Sequence, residues 1–291
     1  MMEAEASGER PGVWRRWDAK APCVPLVLDS PHSGTIYPND FGHAAPIAIL
    51  RRSEDTHVDA LFCAAPLHGA TLLGALFPRS YIDANRALED LDPALLDAPW
   101  PTPIDPGQKT RLGIGLISRL CGAMAPIYDR KLSVAEIANR IDVYWRPYHR
   151  ELDRLLDDIH ARFGIAFHID CHSMPPAGVE GMAADAGRQR ADFVLGDRDG
   201  TTCMPEFTAV ARELLAVRGY SVRCNDPFKG VELVRKHGLP ASRRHSLQIE
   251  VNRKLYLDED TREPNAGFAR TRDDLSALIA HLAGFARAQT A

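Results

Sequence analysis

Four short segments of the chain carry residue types that can bind a metal or move a proton, and each follows an apolar run typical of a strand. They are Ser30-Pro31-His32-Ser33-Gly34, Asp83-Ala84-Asn85-Arg86, Asp170-Cys171-His172-Ser173 and Glu250-Val251-Asn252-Arg253. In an open α/β sheet, ligands bind in the crevice outside the carboxyl ends of the strands. Histidines, a glutamate and arginines brought there by different strands therefore predict an assembled active site.

The two histidines predict a metal site. His32 and His172 each precede a serine after a strand-like run. Two imidazoles on neighbouring strands can bind one divalent ion, and a carboxylate usually completes a catalytic zinc site with water as the fourth ligand. The acidic start of the next predicted helix offers Asp55 as the first choice and Glu54 as the alternative. The competing interpretation is that these histidines are ordinary hydrogen-bonded residues without a metal.

Two further polar residues lie beside these candidate ligands in the sequence. Asp170 precedes His172 by two positions and is expected to orient that ligand through a hydrogen bond, or else to close a turn. His57 is a second candidate for such an orienting role. The alternative for His57 is the solvated first turn of a helix, where nearby acidic residues favour the positive end of the helix dipole.

Glu250 interrupts an otherwise apolar strand and shares one face of it with Gln248. A carboxylate in that position is costly to bury without a partner. One interpretation is a salt bridge to Arg253 or to another arginine. The other is a general base that takes a proton from metal-activated water and returns it to a leaving amine. The second interpretation predicts hydrolysis of an amide.

Arginines after two of the strands indicate a ligand that carries a carboxylate. Arg86 follows Asn85, and Arg253 stands in a second Asn-Arg pair. A guanidinium fork beside an amide suits a carboxylate, although such arginines also commonly pair with acidic residues at a sheet edge. Arg111, in a loop rich in proline and glycine, is expected to add a contact. Residues 107–110 resemble the end of a phosphate-binding loop but lack its glycine spacing, so we discard a phosphate site.

The composition is that of an ordinary globular protein, since the 291 residues are 45% hydrophobic and 25% charged. A formal net charge of −4 predicts no broad cationic surface for nucleic acid. Six scattered cysteines without a Cys-x-x-Cys pair argue against a disulfide scaffold and favour a reducing compartment. Residues 1–20 lack an apolar leader, and no apolar stretch is long enough to cross a membrane. We therefore expect a cytoplasmic protein that binds a small carboxylated molecule and neither nucleic acid nor membrane, with its oligomeric state left open.

The elements that position these residues alternate between strands and helices. This order predicts an α/β fold with three α/β/α layers and a mixed, mostly parallel central sheet. Residues 1–20 are expected to form a polar extension and residues 21–291 a single domain. The predicted strands cover residues 24–28, 70–76, 80–83, 165–170, 193–195, 220–224 and 246–251. The predicted helices cover residues 54–66, 133–163, 204–217 and 273–286, and Pro147 is expected to kink or divide the second of them near Tyr144. Residues 90–119, mostly a proline-rich loop, are expected to shape the binding site.

Five motifs, in order along the chain, resemble the N-formylglutamate amidohydrolase (deformylase) family of zinc-carboxypeptidase-like hydrolases. They are Ser-Pro-His32-Ser-Gly, Asp55-Thr-His57-Val-Asp, Ile-Asp-Ala-Asn85-Arg86, Ile-Asp-Cys-His172-Ser-Met and Gln-Ile-Glu250-Val-Asn-Arg253. Together they span residues 22–260. The resemblance implies a zinc-peptidase-like α/β/α fold and hydrolysis of an N-acylated amino acid. In the family's case, N-formylglutamate is converted to formate and glutamate.

The resemblance also implies roles for individual residues. His32 and His172 match the metal-binding histidines, and Glu250 matches the catalytic glutamate. Asn85 and Arg86 match the pair that holds a substrate carboxylate. The expected cofactor is a divalent metal, with zinc as the first choice.

The chain departs from the zinc carboxypeptidases at one metal ligand. Those enzymes carry a glutamate three residues after the first histidine, whereas this chain has Thr35 there. Asp55 or Glu54 must then supply the carboxylate.

Three other functions are compatible with these residues. One is a deacylase for N-acetyl or N-succinyl amino acids. Another is a non-catalytic module that grips a carboxylated ligand through Arg86 and Arg253. The third is a metal-free hydrolase that uses Cys171 beside His172.

Overall fold

A computed structural model describes residues 5–121, 125–178 and 185–290. The strands within these residues are β1 (Gly8–Arg10), β2 (Trp14–Trp17), β3 (Leu26–Ser30), β4 (Thr71–Ala75), β5 (Leu120–Cys121), β6 (Ala125–Pro126), β7 (Ala166–Met174), β8 (Phe193–Gly196), β9 (Val222–Cys224) and β10 (Arg244–Asn252). Eight of them form one sheet in the order β1-β2-β4-β3-β7-β10-β8-β9, while β5 and β6 pair with each other. The neighbours β4, β3, β7 and β10 run parallel, whereas β2 and β8 are antiparallel to the strands beside them in this group. The prediction of a mixed, mostly parallel sheet is confirmed.

Helices cover both faces of the sheet. Those of the described residues are α1 (Ile47–Leu50), α2 (Val58–Leu61), α3 (Gln108–Arg111), α4 (Val134–Arg140), α5 (Arg146–Phe163), α6 (Pro205–Val217), α7 (Glu232–His237) and α8 (Phe268–Ala288). Side chains of α2, α6 and α8 share one core with Leu26 and Leu28, and those of α4, α5 and α7 share the other with Val27. Because successive strand residues point to opposite faces, two cores result and the fold has three layers, as predicted. No helix in the described ranges is both long and apolar enough to cross a membrane.

The amino-terminal segment that was expected to be a polar extension contributes to the sheet. Strands β1 and β2 form an antiparallel hairpin, and Trp14 of β2 pairs with Ala75 of β4. The sheet therefore begins before residue 21. A hairpin at the edge of a sheet remains partly exposed, so it needs few apolar residues and its sequence looks polar.

Two predicted elements near the site are replaced by turns. The helix expected over residues 54–66 is reduced to the single turn of α2 and a 3-10 turn, Ala65–His68, and it cannot begin before α2 because His57 has a left-handed φ of 64°. Residues 80–83, expected to be a strand, form a turn in which the Asp83 amide donates to the Leu116 carbonyl. Both segments make long-range contacts that local patterns do not reveal.

The helix expected over residues 133–163 is present but interrupted. A π-helical stretch, Ile141–Trp145, joins α4 to α5 just before Pro147. Proline has no backbone N–H and disturbs the preceding turn, so the interruption lies where the sequence predicted a kink.

The register of the central strands aligns the polar residues. Strand β7 runs past Asp170, where the prediction ended it, through His172 to Met174. His172 pairs with Glu250 on β10, and Asp170 pairs with Asp29 on β3. The polar ends of three parallel strands therefore lie side by side.

Candidate active site

His32 lies in a tight turn that follows β3. Gly34 permits this turn, because a Cβ atom at that position would lie 2.3 Å from the Phe77 carbonyl oxygen. The carbonyl of His32 accepts a hydrogen bond from the Asp55 amide at 3.0 Å. This backbone bond brings the segment before α2 beside the buried imidazole.

Three side chains converge at the carboxyl ends of β3 and β7. Asp55 Oδ2 lies 2.9 Å from His172 Nδ1 and 3.3 Å from His32 Nδ1. The two imidazole centroids are 4.7 Å apart, and each of the three residues offers a ligand atom within 4.8 Å of the others. All three are buried. Two histidines and one aspartate have the donor set of a divalent metal site.

The local chemistry fits a bound cation. His32 Nδ1 is buried and has no hydrogen-bond partner within the described ranges, although buried polar atoms normally have one. Four buried carboxylates, those of Asp55, Asp83, Asp170 and Glu250, surround the two histidines. Buried negative charge is costly without a compensating cation. The residues present could therefore hold a metal.

Each imidazole faces a second carboxylate with its other ring nitrogen. His32 Nε2 lies 2.7 Å from Asp83 Oδ1, and His172 Nε2 lies 2.7 Å from Asp170 Oδ1. Such carboxylates fix the tautomer and orientation of a metal-binding histidine. Asp170 lies beside the ring, but its Oδ1 has no hydrogen bond within the described ranges, so its orienting role stays a prediction. The role of Asp83 was missed, although it stands in the same motif as Asn85.

The buried charges of the site shift the pKa values of His172 and Asp55 in opposite directions. Burial would lower the pKa of His172, but the carboxylates of Asp170 and Asp55 outweigh it and raise that pKa well above its ordinary value. Burial would raise the pKa of Asp55, but the hydrogen bond with His172 and the nearby His32 imidazole hold it well below the usual range. A cation that binds both histidines must therefore displace a proton, so its affinity is expected to rise with pH.

Arg253 holds Asp55 in place. Its Nη2 donates to Asp55 Oδ1 at 3.0 Å and to the Glu54 carbonyl at 2.7 Å, and its Nε donates to Ser173 Oγ at 3.0 Å. These bonds leave Asp55 Oδ2 facing the histidines. The guanidinium was expected to grip a substrate carboxylate; it lines the cavity, but its hydrogen bonds go to Asp55, to Ser173 and to the backbone.

Two residues considered for the metal site contact other parts of the protein. The carboxylate of Glu54 accepts a hydrogen bond from the Tyr37 hydroxyl at 2.6 Å and lies 3.4 Å from Arg51 Nε. His57 Nε2 lies 3.2 Å from the Arg262 carbonyl oxygen. The structure therefore places Asp55, rather than Glu54, beside the histidines, and His57 does not orient a ligand there.

Glu250 stands next to His172 on the neighbouring strand. Its Oε1 accepts a hydrogen bond from Gln248 Nε2 at 2.9 Å, and no salt bridge joins it to an arginine within the described ranges. Burial, together with the charges of Asp55 and Asp170, raises its pKa to about 7 against the opposing effect of His172. A carboxyl group that titrates near neutral pH is suited to accept and return a proton.

A cavity of about 910 Å³ lies over the cluster, and Glu250 and Arg86 line it. Arg86 Nε donates to the Ile114 carbonyl at 3.1 Å and Nη1 donates to the Asn85 carbonyl at 2.8 Å. Within the described part of the chain, its Nη2 has no hydrogen bond and remains available to a ligand. The Asn85 amide is engaged by the protein, because its Oδ1 accepts from the Leu233 amide at 2.9 Å and its Nδ2 lies 2.9 Å from His172 Nε2.

Arg111 does not reach this cavity. It is exposed on α3, whereas Lys109 of the same helix lines the cavity. Arg79 also lines it and donates through Nη2 to Asp83 Oδ2 at 2.7 Å. Sequence reasoning missed both cations, because no periodic pattern in these loops indicates which side chains face inward.

Replacement of Asp83 by Asn is expected to weaken metal binding about 10- to 100-fold, the usual effect of removing a carboxylate that orients a metal-binding histidine. The amide keeps the shape but accepts the His32 N–H less strongly. Titration of metal-free protein with zinc against a competing chelator measures the change. D97N alters an exposed aspartate and serves as the control. Equal zinc affinity in D83N and wild type would contradict this role.

Comparison with known proteins identifies the family of the chain. The profile of the N-formylglutamate amidohydrolase family matches residues 24–257. N-formylglutamate deformylases of Pseudomonas putida and Pseudomonas aeruginosa are each 29% identical to the chain, over 81% of its length and 83% of theirs. The crystal structure of N-formylglutamate amidohydrolase from Ralstonia eutropha JMP134 is 51% identical, with a TM-score of 0.92 over 95% of this chain and 99% of that one. The resemblance seen in the motifs is confirmed, and the chain belongs to the N-formylglutamate amidohydrolase family of amide hydrolases.

Proposed function

We propose that the protein hydrolyses N-formyl-L-glutamate to formate and L-glutamate with a divalent metal held by His32, Asp55 and His172. The observation that carries the proposal is the buried His–Asp–His group with Glu250 beside it at the floor of one cavity. Two histidines and one carboxylate form a common catalytic zinc site, which makes zinc the first candidate. Such sites accept several divalent ions, so metal analysis decides the identity.

The metal and Glu250 are proposed to supply different parts of the reaction. When bound, the metal supplies a Lewis acid that lowers the pKa of water and polarises a carbonyl group. Glu250 takes a proton from the water whose oxygen bonds to the formyl carbon. It then delivers that proton to the amide nitrogen as the carbon–nitrogen bond breaks. The formyl group leaves as formate, and the amine leaves as glutamate.

Arg86 is proposed to hold a substrate carboxylate. It is buried at the cavity wall with Nη2 uncommitted among the described residues, and planar guanidinium groups bind carboxylates well. Asn85 supports it indirectly, since its side chain contacts the residues around His172 and its carbonyl accepts Arg86 Nη1.

The cysteine-dependent alternative is disfavoured by burial. Cys171 is buried in the core, and burial raises the pKa of its thiol well above the ordinary value. The thiolate is the nucleophilic form, so such a thiol is a poor nucleophile.

The six cysteines are all free thiols, which supports a cytoplasmic site of action.

Metal analysis combined with formate release tests the proposal. Protein purified without chelator should contain metal, should release formate from N-formyl-L-glutamate, and should act more slowly on N-acetyl- and N-succinyl-L-glutamate. Chelation should remove the activity, and added zinc should restore it. Equal rates on all three substrates would overturn the formyl assignment. Absence of both metal and turnover would favour the carboxylate-binding module.

A further inference from the structure

Several cations that line the cavity are neutralised by the protein itself. Arg190 donates to both carboxylate oxygens of Asp185, at 2.8 and 3.0 Å. Lys229 Nζ lies 2.8 Å from Asp199 Oδ2, and Arg253 is bound to Asp55. These side chains have their counter-charges and need no ligand.

Lys109 differs from these residues. It lines the same cavity, and no hydrogen bond or ion pair joins its ammonium group to any other described residue. Burial lowers its pKa, and the positive charges of Arg86, Arg79 and Arg190 lower it further, with only the charge of Glu250 acting in the opposite direction. A desolvated ammonium group among guanidinium groups is stabilised by an anion. Lys109 therefore has the surroundings of a residue that receives an anionic ligand.

Hydrogen bonds to Asp90 order the loop that carries Lys109. Asp90 Oδ1 accepts the Gly107 amide at 2.8 Å, at the start of α3, and the Asp90 carboxylate also accepts the Thr110 hydroxyl. Gly115 lets the chain approach closely, because a Cβ atom there would lie 2.6 Å from the Asp90 carbonyl oxygen. The hydrogen bonds from Gly107 and Thr110 to one aspartate fix the single turn that carries Lys109. A fixed backbone reduces the entropy lost when the side chain binds a ligand.

Arg86 Nη2 and the Lys109 ammonium group are thus two donors of the cavity that have no protein partner among the described residues. Arg86 lies near the candidate metal site. Its Nη1 is 3.9 Å from Asp83 Oδ2, and the other oxygen of Asp83 contacts His32. Lys109 is placed on a separate loop segment. N-formyl-L-glutamate carries one carboxylate near the amide and a second at the end of its side chain.

We propose that Lys109 binds the side-chain carboxylate of the substrate and thereby selects glutamate, while Arg86 binds the carboxylate next to the amide. This inference rests on the proposed function, because it assigns a binding residue to the side-chain carboxylate of the same substrate. It makes Lys109 a specificity-determining residue of the cavity.

Kinetics of K109M on two matched substrates test the assignment. N-formyl-L-glutamine has the shape of N-formyl-L-glutamate without the side-chain charge. K109M should lower kcat/KM for N-formyl-L-glutamate about 10- to 100-fold, mostly through KM, because one charge-assisted hydrogen bond is lost. Its kcat/KM for N-formyl-L-glutamine should stay close to that of wild type. An equal loss on both substrates, or no loss on either, would overturn the proposal.

Arg111 provides the matched control. R111M removes a positive charge from the same helical turn, but this side chain is exposed and does not line the cavity. R111M should retain the wild-type preference for N-formyl-L-glutamate over N-formyl-L-glutamine. Loss of that preference in R111M as well as in K109M would assign it to overall charge and overturn the role of Lys109.

A binding measurement separates this inference from the proposed reaction and needs no turnover. Calorimetric titration of the metal-loaded wild type should show tighter binding of glutarate than of its monoamide, and K109M should lose most of that difference. If glutarate is preferred but no formate is released from N-formyl-L-glutamate, the reaction is wrong and the carboxylate site stands. If formate is released but wild type binds both compounds equally, the subsite is wrong and the reaction stands.

Discussion

Replacement of Glu250 by Gln is expected to lower kcat for formate release about 10²- to 10⁴-fold, the usual contribution of a general base. The amide has nearly the same volume, so the pairing of β10 with β7 should persist, but it cannot accept a proton from water. KM should change little, because Glu250 is not assigned to substrate binding. Steady-state formate release and metal analysis of the same preparation measure both effects.

The pH dependence provides the specific signature of this role. Burial raises the pKa of Glu250 to about 7, and only the unprotonated carboxylate acts as a base. Wild-type kcat/KM should therefore fall as the pH falls through this pKa. A bound cation favours the charged form and moves that acidic limb below pH about 7. The residual activity of E250Q should lack this limb, and a variant with normal kcat and an unchanged profile would contradict the assignment.

Replacement of His172 by Ala is expected to abolish stoichiometric metal binding and to reduce formate release to background. His172 supplies one of the three candidate ligands and is the charge partner of Asp55 and Asp170. Its removal leaves buried carboxylates unpaired, and breaking a buried charge pair typically costs about 3–5 kcal/mol of folding free energy. Metal analysis, formate assays and denaturant unfolding of H172A measure these losses.

The neighbouring residue supplies the control for His172. Cys171 packs into the apolar core on the other face of β7, so C171A should retain metal and most of the activity. Loss of activity in C171A with full metal content would favour the cysteine-dependent alternative. Retention of metal and activity in H172A would refute the metal site itself.

The sequence alone was sufficient to predict the central, mostly parallel part of the sheet and the neighbourhood of His32, His172 and Glu250. Apolar runs mark strands, and parallel strands end at one edge of a sheet, so polar residues that follow them must lie close together. Glu250 was recognisable because it places a carboxylate on an otherwise apolar strand, on the face that it shares with Gln248. These predictions depend on backbone geometry, which local sequence determines.

Only the tertiary structure decided which of two residues close in sequence lies at the candidate site. Asp55 and Glu54 are adjacent in the chain, and the choice depends on Arg253, which lies 198 positions after Asp55. Lys109 and Arg111 share one helical turn, and the contacts of Asp90 determine which of them lines the cavity. The edge hairpin of residues 8–17 likewise depends on its pairing with β4. In each case the deciding contact joins residues far apart in sequence, so no local pattern carries it.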